Sequence, residues 1–276
     1  MNRKKIIGIV ILVLAFAFIY APILILAVYS FTDATNIGMH ASLSLDNYVT
    51  LFTTPELTDM IWGTVILALA AAFLSTVLGT LGAIGAFYSG HHMKSAIRTV
   101  NQIPVVNADV VTGFSICILL VAVLGVDKDT FFPLVAGHVV LCAPFVFLSV
   151  YPKLGQMDQS LYEAALDLGA SPGYAITRVV VPQIMPGIIS GFAMAITLSL
   201  DDYFVATYTK PATFDTISTY VVNATRGSQT QIKTALWALS TVVFIIVLLA
   251  ALLMNRQGQF NAKNQSAASG KRGEQV

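Results

Sequence analysis

Long apolar runs recur along this chain, broken by short polar stretches, and the length of the runs carries more information than their periodicity. Nearly continuous apolar sequence covers approximately Ile6–Tyr29, Met60–Tyr88, Ala108–Leu124, Phe132–Val150, Met185–Ala206 and Ala235–Met254. A helix needs about 20 apolar residues to cross a hydrocarbon core, and a lipid-exposed backbone must satisfy its own hydrogen bonds. The pattern therefore predicts an all-α polytopic membrane protein with six spans in one domain over residues 1–254. The third run is the shortest, and Pro104 and Asn107 blur its start. The tail 255–276 is polar, has Phe260 as its one aromatic residue, and is expected to be disordered.

Composition supports this reading. Of 276 residues 56% are hydrophobic and 11% charged, against roughly 25% charged in soluble domains. With 15 basic and 14 acidic residues, the total carries no nucleic-acid footprint. Cys117 and Cys142 each lie within an apolar run and suggest neither a disulfide framework nor a metal cluster. The first run follows Arg3, Lys4 and Lys5 and continues to Val28. Signal peptides have apolar regions of about 7–15 residues, so this one reads as a retained span.

Loop charges set a direction, because Lys and Arg stay preferentially in the cytoplasm. The loop from Ser30 to Asp59 holds four acids and no Lys or Arg, whereas SGHHMKSAIR is basic through Lys94 and Arg98. The tail carries Arg256, Lys263, Lys271 and Arg272. Both termini are expected inside and the first loop outside. Lys210, Arg226 and Lys233 on the expected outer side run against the trend.

That direction places the segment 158–182 in the cytoplasm. Ser160-Leu-Tyr-Glu163 has the form of a capping box, with Glu163 reaching back to the serine amide. Leu161, Ala164, Ala165 and Leu168 share one helical face. Gly169 falls where a glycine stops a helix in a left-handed turn. Ser171 and Pro172 fit the N-cap and first position of a second helix, and Pro182 and Pro186 punctuate the return to the membrane. Glu163 and Asp167 stack like charges at i and i+4, a repulsion of about 0.2–0.5 kcal/mol that a basic partner surface would relieve. A structured connector is the plainer alternative.

The stretch EAALDLGASPGYAITRVVVP resembles the EAA signature of the membrane subunits of bacterial ABC importers. Glu163, Ala164, Ala165, Gly169 and Pro182 match, and valines 179 and 181 replace the usual Ile and Leu. The resemblance implies a type I ABC importer permease fold in which this segment docks on a separate ATPase, with Asp167 alongside. No G-x-x-x-x-G-K-[ST] phosphate loop occurs in the chain, which agrees with ATP hydrolysis by a partner.

Ionisable residues at membrane depth are costly and usually functional. Asp109 opens the third run, and Asp201 and Asp202, followed by Tyr203, lie late in the fifth. Carboxylates beside Tyr203, Phe204 and Tyr208 suit an alkylammonium ion. A helix-opening acid at Asp109 and a headgroup-level position for the pair are the structural alternatives. The motifs VVNADVVTG, CAPFVFLSVYPKL and LSLDDYFV, with the EAA region, resemble the second permease subunit of spermidine/putrescine importers. That resemblance implies a polyamine pathway in the bacterial plasma membrane. The partners it implies are a sister permease, two ATPase subunits, an extracytoplasmic substrate-binding protein and membrane lipid. Related permeases move ferric iron, sulfate or thiamine.

Two further function classes are open to the same acids. A membrane enzyme would need a catalytic or metal-ligand constellation, and none is evident; no catalytic residue, metal or cofactor is assigned. An ion-coupled carrier would bind protons or sodium there. Gly79, Gly82 and Gly85 are expected to let span two pack closely. His91 and His92 are too isolated a pair for a metal site, and Trp62, Tyr88 and Tyr151 fit interfacial anchors.

Overall fold

In a computed structural model, residues 3–35, 38, 42–226 and 234–245 are described. They are helical almost throughout and form no strand, with one isolated antiparallel bridge between Thr32 and Leu43. The helices are α1 (Arg3–Ser30), α2 (Asp46–Thr53), α3 (Pro55–Tyr88), α4 (His91–Val106) and α5 (Asp109–Val123, whose last residues from Ile118 form a π-turn). After these come α6 (Phe131–Gln156), α7 (Ser160–Asp167), α8 (Pro172–Asp201), α9 (Phe204–Thr209), α10 (Ile217–Arg226) and α11 (Thr234–Ile245).

Among the described residues, four helices are long and apolar enough to cross a membrane: Gly8–Ser30 of α1, then α3, α6 and α8. The third predicted run behaves differently. Its helix α5 is preceded by α4, bent from it by 105°, and the two are apolar and long enough only as a pair, a broken span or a re-entrant loop. The basic stretch read as a loop is the first part of α4. Gly90 caps it in extended conformation, and Met93, Val100 and Ile103 recur at helical spacing. The bend follows from chemistry. Pro104 lacks an N–H, Asn107 and Ala108 are extended, and Asn107 Nδ2 donates to Thr112 Oγ1 at 3.1 Å.

The fifth run also differs. Its helix begins at Pro172, well before the expected Met185, and ends at Asp201. Pro182 and Pro186 lie inside it rather than interrupting it. A π-turn at Ile176–Val180 precedes Pro182, the kind of local widening that accommodates a lost donor. Of the sixth run, Thr234–Ile245 is helical; the remainder to Met254, and the tail, lie outside the described residues.

The chain divides into two compact units, Asp59–Asn223 and the residues flanking it on both sides. In the flanking unit, Asn47 donates to the carbonyls of Ser30 and Thr32, Thr241 donates to Ser30 Oγ, and Tyr29 packs edge-on against Trp237. The outward face of α1, from Ile9 to Val28, remains exposed, as expected of a helix solvated by acyl chains.

The central unit is organised around α6 against α8. Gly187, Gly191, Ala195 and Ser199 recur every four residues along α8 and are all buried. A Cβ at Gly187 would stand 2.7 Å from Lys153 Cγ, and one at Gly191 would stand 3.2 Å from Val146 Cα. Ser149 Oγ donates to Gly187 O and Cys142 Sγ to Ala195 O across the seam. Small residues at this spacing let two backbones approach in a membrane. Span two shares only part of the role expected of it. Gly79 is tight against Val146 and Ala143, Gly82 makes an ordinary contact with Phe147, and Gly85 faces open space.

Candidate functional site

The seam on α8 ends in a backbone break. Asp202 and Tyr203 separate α8 from α9, and the Asp202 carboxylate restarts the helix: Oδ1 accepts from Val205 N at 3.2 Å and Oδ2 from Ala206 N at 2.7 Å. Asp202 is buried, and its Oδ2 lies 3.7 Å from Nε2 of the fully buried His138. The other ring nitrogen, Nδ1–H, donates to Leu134 O at 2.8 Å, so any proton exchanged with Asp202 sits on Nε2. Nε2 has no hydrogen-bond partner, nor does Ser199 Oγ one helical turn before Asp202.

Helix α9 is held by close approach on two sides. A Cβ at Gly113 of α5 would meet Val205 Cα at 2.8 Å, and one at Gly137 of α6 would meet Val205 Cγ1 at 2.7 Å. Asp109 is the first residue of the same helix α5 whose Gly113 meets Val205. Asp109 of the third run and Asp201 and Asp202 of the fifth thus lie at the ends of elements that pack on one another. Their surroundings differ. Asp109 and Asp201 are exposed, Asp202 is enclosed, and Tyr203 is half-buried with its ring 5.2 Å from Phe204. Tyr208 packs instead on Phe114. Among the described residues no cluster of three or more His, Cys, Asp or Glu is poised for a metal ion.

The segment 158–182 forms the second candidate site. Helix α7 starts one residue earlier than a capping box at Ser160 requires. Ser160 is its first residue, Gln159 occupies the cap position without a side-chain bond, and Asp158 Oδ1 accepts from Ser160 N at 3.0 Å. Those bonds from Ser160 hold the Asp158 carboxyl below its ordinary value. The stop is as expected. Gly169 has φ +85°, Gly169 N donates to Leu166 O, and Ala170 N donates to Ala165 O, the paired bonds of a Schellman motif. Ser171 then caps Pro172 onward, accepting from Tyr174 N at 3.4 Å.

No residue of α7 is buried. Leu161, Glu163, Ala164, Asp167 and Leu168 are all exposed, Leu168 at 89%, while Ala165 is half-buried; Pro182 is exposed on α8. The helix is attached to the bundle through Tyr162, whose ring lies 4.8 Å from Tyr88 at the end of α3. Phe87, Tyr151 and Phe147 continue that aromatic stack.

Sequence reasoning missed His138, Asp158, Tyr162 and the seam glycines. His138 was detectable, since it is an ionisable residue inside an apolar run and the rule that selected Asp109 applies to it equally.

Comparison with known proteins places these features in context. Residues 77–262 match the family described as "Binding-protein-dependent transport system inner membrane component". The putrescine transport system permease protein PotI of Escherichia coli (strain K12) is 32% identical over 90% of this chain and 90% of its own. The spermidine/putrescine transport system permease protein PotC of Haemophilus influenzae is 27% identical over 88% and 93%. In fold, the chain resembles a subunit of a bacterial ABC transporter that imports alginate, with a TM-score of 0.72 at 20% identity over 92% of this chain and 96% of that one. It also resembles a chain of the inward-facing MetNI methionine ABC transporter, with a TM-score of 0.58 at 16% identity over 73% and 95%. The chain belongs to the family of binding-protein-dependent transport system inner membrane components, the membrane-spanning permease subunits of ABC importers.

Proposed function

We propose that this permease carries polyamines, putrescine or spermidine, across the bacterial plasma membrane. The observation that carries the cargo assignment is the pair of exposed carboxylates Asp109, which opens α5, and Asp201, at the backbone break that leads into the α9 helix packed on α5. A polyamine is a chain of ammonium groups, and carboxylates at membrane depth with open approach are suited to receive them. The relatives PotI and PotC, matched over most of their lengths, support the same cargo. In this reading Asp109 and Asp201, with the rim of Tyr203, meet the substrate, and Asp202 holds the break.

The chain would cross the membrane six times with both termini in the cytoplasm, placing α7 beside the ATPase. Leu161, Ala164 and Leu168 then enter an apolar cleft, and Glu163 and Asp167 meet its basic rim. Ala165 and Gly169 shape the helix and its stop, and Pro182 lies just beyond the π-turn that returns α8 to the membrane. A sister permease, two ATPase subunits and an extracytoplasmic binding protein complete the machine. The test is uptake of labelled putrescine and spermidine into proteoliposomes holding the complex, ATP and the loaded binding protein. Uptake that persists without ATP but stops on collapse of an ion gradient would favour an ion-coupled carrier instead.

A further inference from the structure

Helix α4 carries a polar stripe that the pathway acids do not explain. His91, Lys94, Ser95, Arg98, Thr99 and Gln102 line one groove of about 330 Å³. The helix also presents Met93, Val100, Ile103 and Val106 as exposed apolar residues. Its position along the bundle is fixed by two sets of contacts. Near its start, Lys94 Nζ lies 5.0 Å from the Phe87 ring and Arg98 Cζ 5.2 Å from the Tyr151 ring, at the end of the bundle that bears α7. Further along, Asn101 Nδ2 donates to Pro144 O near the middle of α6. From His91 to Gln102 the helix climbs about 16 Å. The stripe thus runs along α6 from the end that bears α7 to its middle.

Acyl chains cannot solvate such a stripe. Among the described residues neither Lys94 nor Arg98 has a carboxylate at ion-pair distance. Stacking on aromatic rings holds both cations in place while leaving their charge uncompensated. We propose that this face of α4 lines the water-filled cytoplasmic half of the translocation pathway, with Lys94 and Arg98 as a fixed positive collar that keeps a polycation from rebinding after release. The inference rests on the permease reading above. Carboxylates at the α8–α9 break attract the cargo and the collar below them does not, so affinity falls along the exit.

The test uses single cysteines at Ser95, Thr99, Gln102, Val100 and Ile103 in a Cys117→Ser, Cys142→Ala background that retains ATP-driven uptake. Anionic sulfonatoethyl and cationic trimethylammonioethyl methanethiosulfonates are applied to inside-out vesicles holding the assembled complex. Ser95→Cys, Thr99→Cys and Gln102→Cys are expected to react, and Val100→Cys and Ile103→Cys to stay unlabelled. At Thr99→Cys the anionic-to-cationic rate ratio, divided by the same ratio on a free thiol, is expected to be about three at physiological salt, and adding Arg98→Gln and Lys94→Gln returns it to about one. Silence at all three polar positions in a transporting complex would overturn the lining, and a normalised ratio of about one with Lys94 and Arg98 intact would overturn the collar. Polyamine-stimulated ATP hydrolysis, measured in the same vesicles, reports separately on the cargo, since labelling depends on access alone.

Discussion

Nε2 of His138 on α6 stands 3.7 Å from Oδ2 of Asp202, and the same carboxylate accepts the amides of Val205 and Ala206. One buried side chain therefore ties α6, the end of α8 and the start of α9 together. Asp202→Ala removes a helix cap and leaves His138 Nε2 without the carboxylate beside it, at a cost of about 2–4 kcal/mol. Asp201→Ala, on an exposed side chain, is expected to stay within about 0.5 kcal/mol of the parent. Thermal unfolding of the detergent-solubilised complex compares them. A His138→Ala, Asp202→Ala double variant is expected to lose less than the sum of the singles. Strict additivity would mean that the two side chains do not interact.

The exposed acids are expected to act on transport rather than stability. Asp201→Asn and Asp109→Asn should each raise the polyamine concentration for half-maximal uptake by about tenfold, the effect of about 1.4 kcal/mol of lost ion pairing. The two variants combined should raise it further. Unchanged half-saturation in the combined variant would remove these carboxylates from the pathway.

Much of this was legible in the sequence because membranes constrain sequence strongly. Run length alone located α1, α3 and α6, and the Gly169 stop and Ser171 cap follow from local backbone chemistry that no tertiary contact overrides. The bent α4–α5 pair was not legible. Its basic residues read as a loop, since the stacking of Lys94 and Arg98 on Phe87 and Tyr151 comes from distant parts of the chain. The roles of Asp201 and Asp202 could not be separated for a similar reason. Neighbours in sequence, they are divided by a helix end set by Asp202's bonds to the Val205 and Ala206 amides and by the packing of Val205 against Gly113 and Gly137. The four-residue repeat Gly187, Gly191, Ala195, Ser199 was visible, and the more obvious glycines of span two drew attention from it.

The packing claim has its own contrast. Gly113→Ala drives a Cβ against the Val205 backbone, and overpacking of this kind costs about 1–3 kcal/mol. Gly85→Ala faces open space within a helix and is expected to be neutral or to stabilise by up to about 1 kcal/mol. Equal unfolding temperatures for these two variants would contradict the close approach of α5 and α9.

The start of α7 depends on pH in a definite direction. The Asp158 carboxyl is held below its ordinary value by Ser160, so its support of the helix is complete above the unfolded value of about 3.9 and is lost as pH falls through the lower folded value. Helix docking should therefore not change from this cause between about pH 5 and 9. Asp158→Ala should speed amide exchange at Ser160 relative to the parent throughout that range. A variant-to-parent ratio of one at neutral pH would remove Asp158 from the cap.

Because α7 exposes Glu163 and Asp167 and none of the described residues covers them, its role is decided at the ATPase. The most direct measurement is ATP hydrolysis by the purified complex in lipid, with binding protein loaded in turn with spermidine, putrescine, ferric iron or sulfate, for the parent and for Glu163→Lys. Stimulation is expected with a polyamine alone, and Glu163→Lys is expected to lose about tenfold or more of it with membrane insertion intact. Full stimulation of Glu163→Lys would contradict docking through this helix, and stimulation by iron or sulfate in place of a polyamine would contradict the cargo.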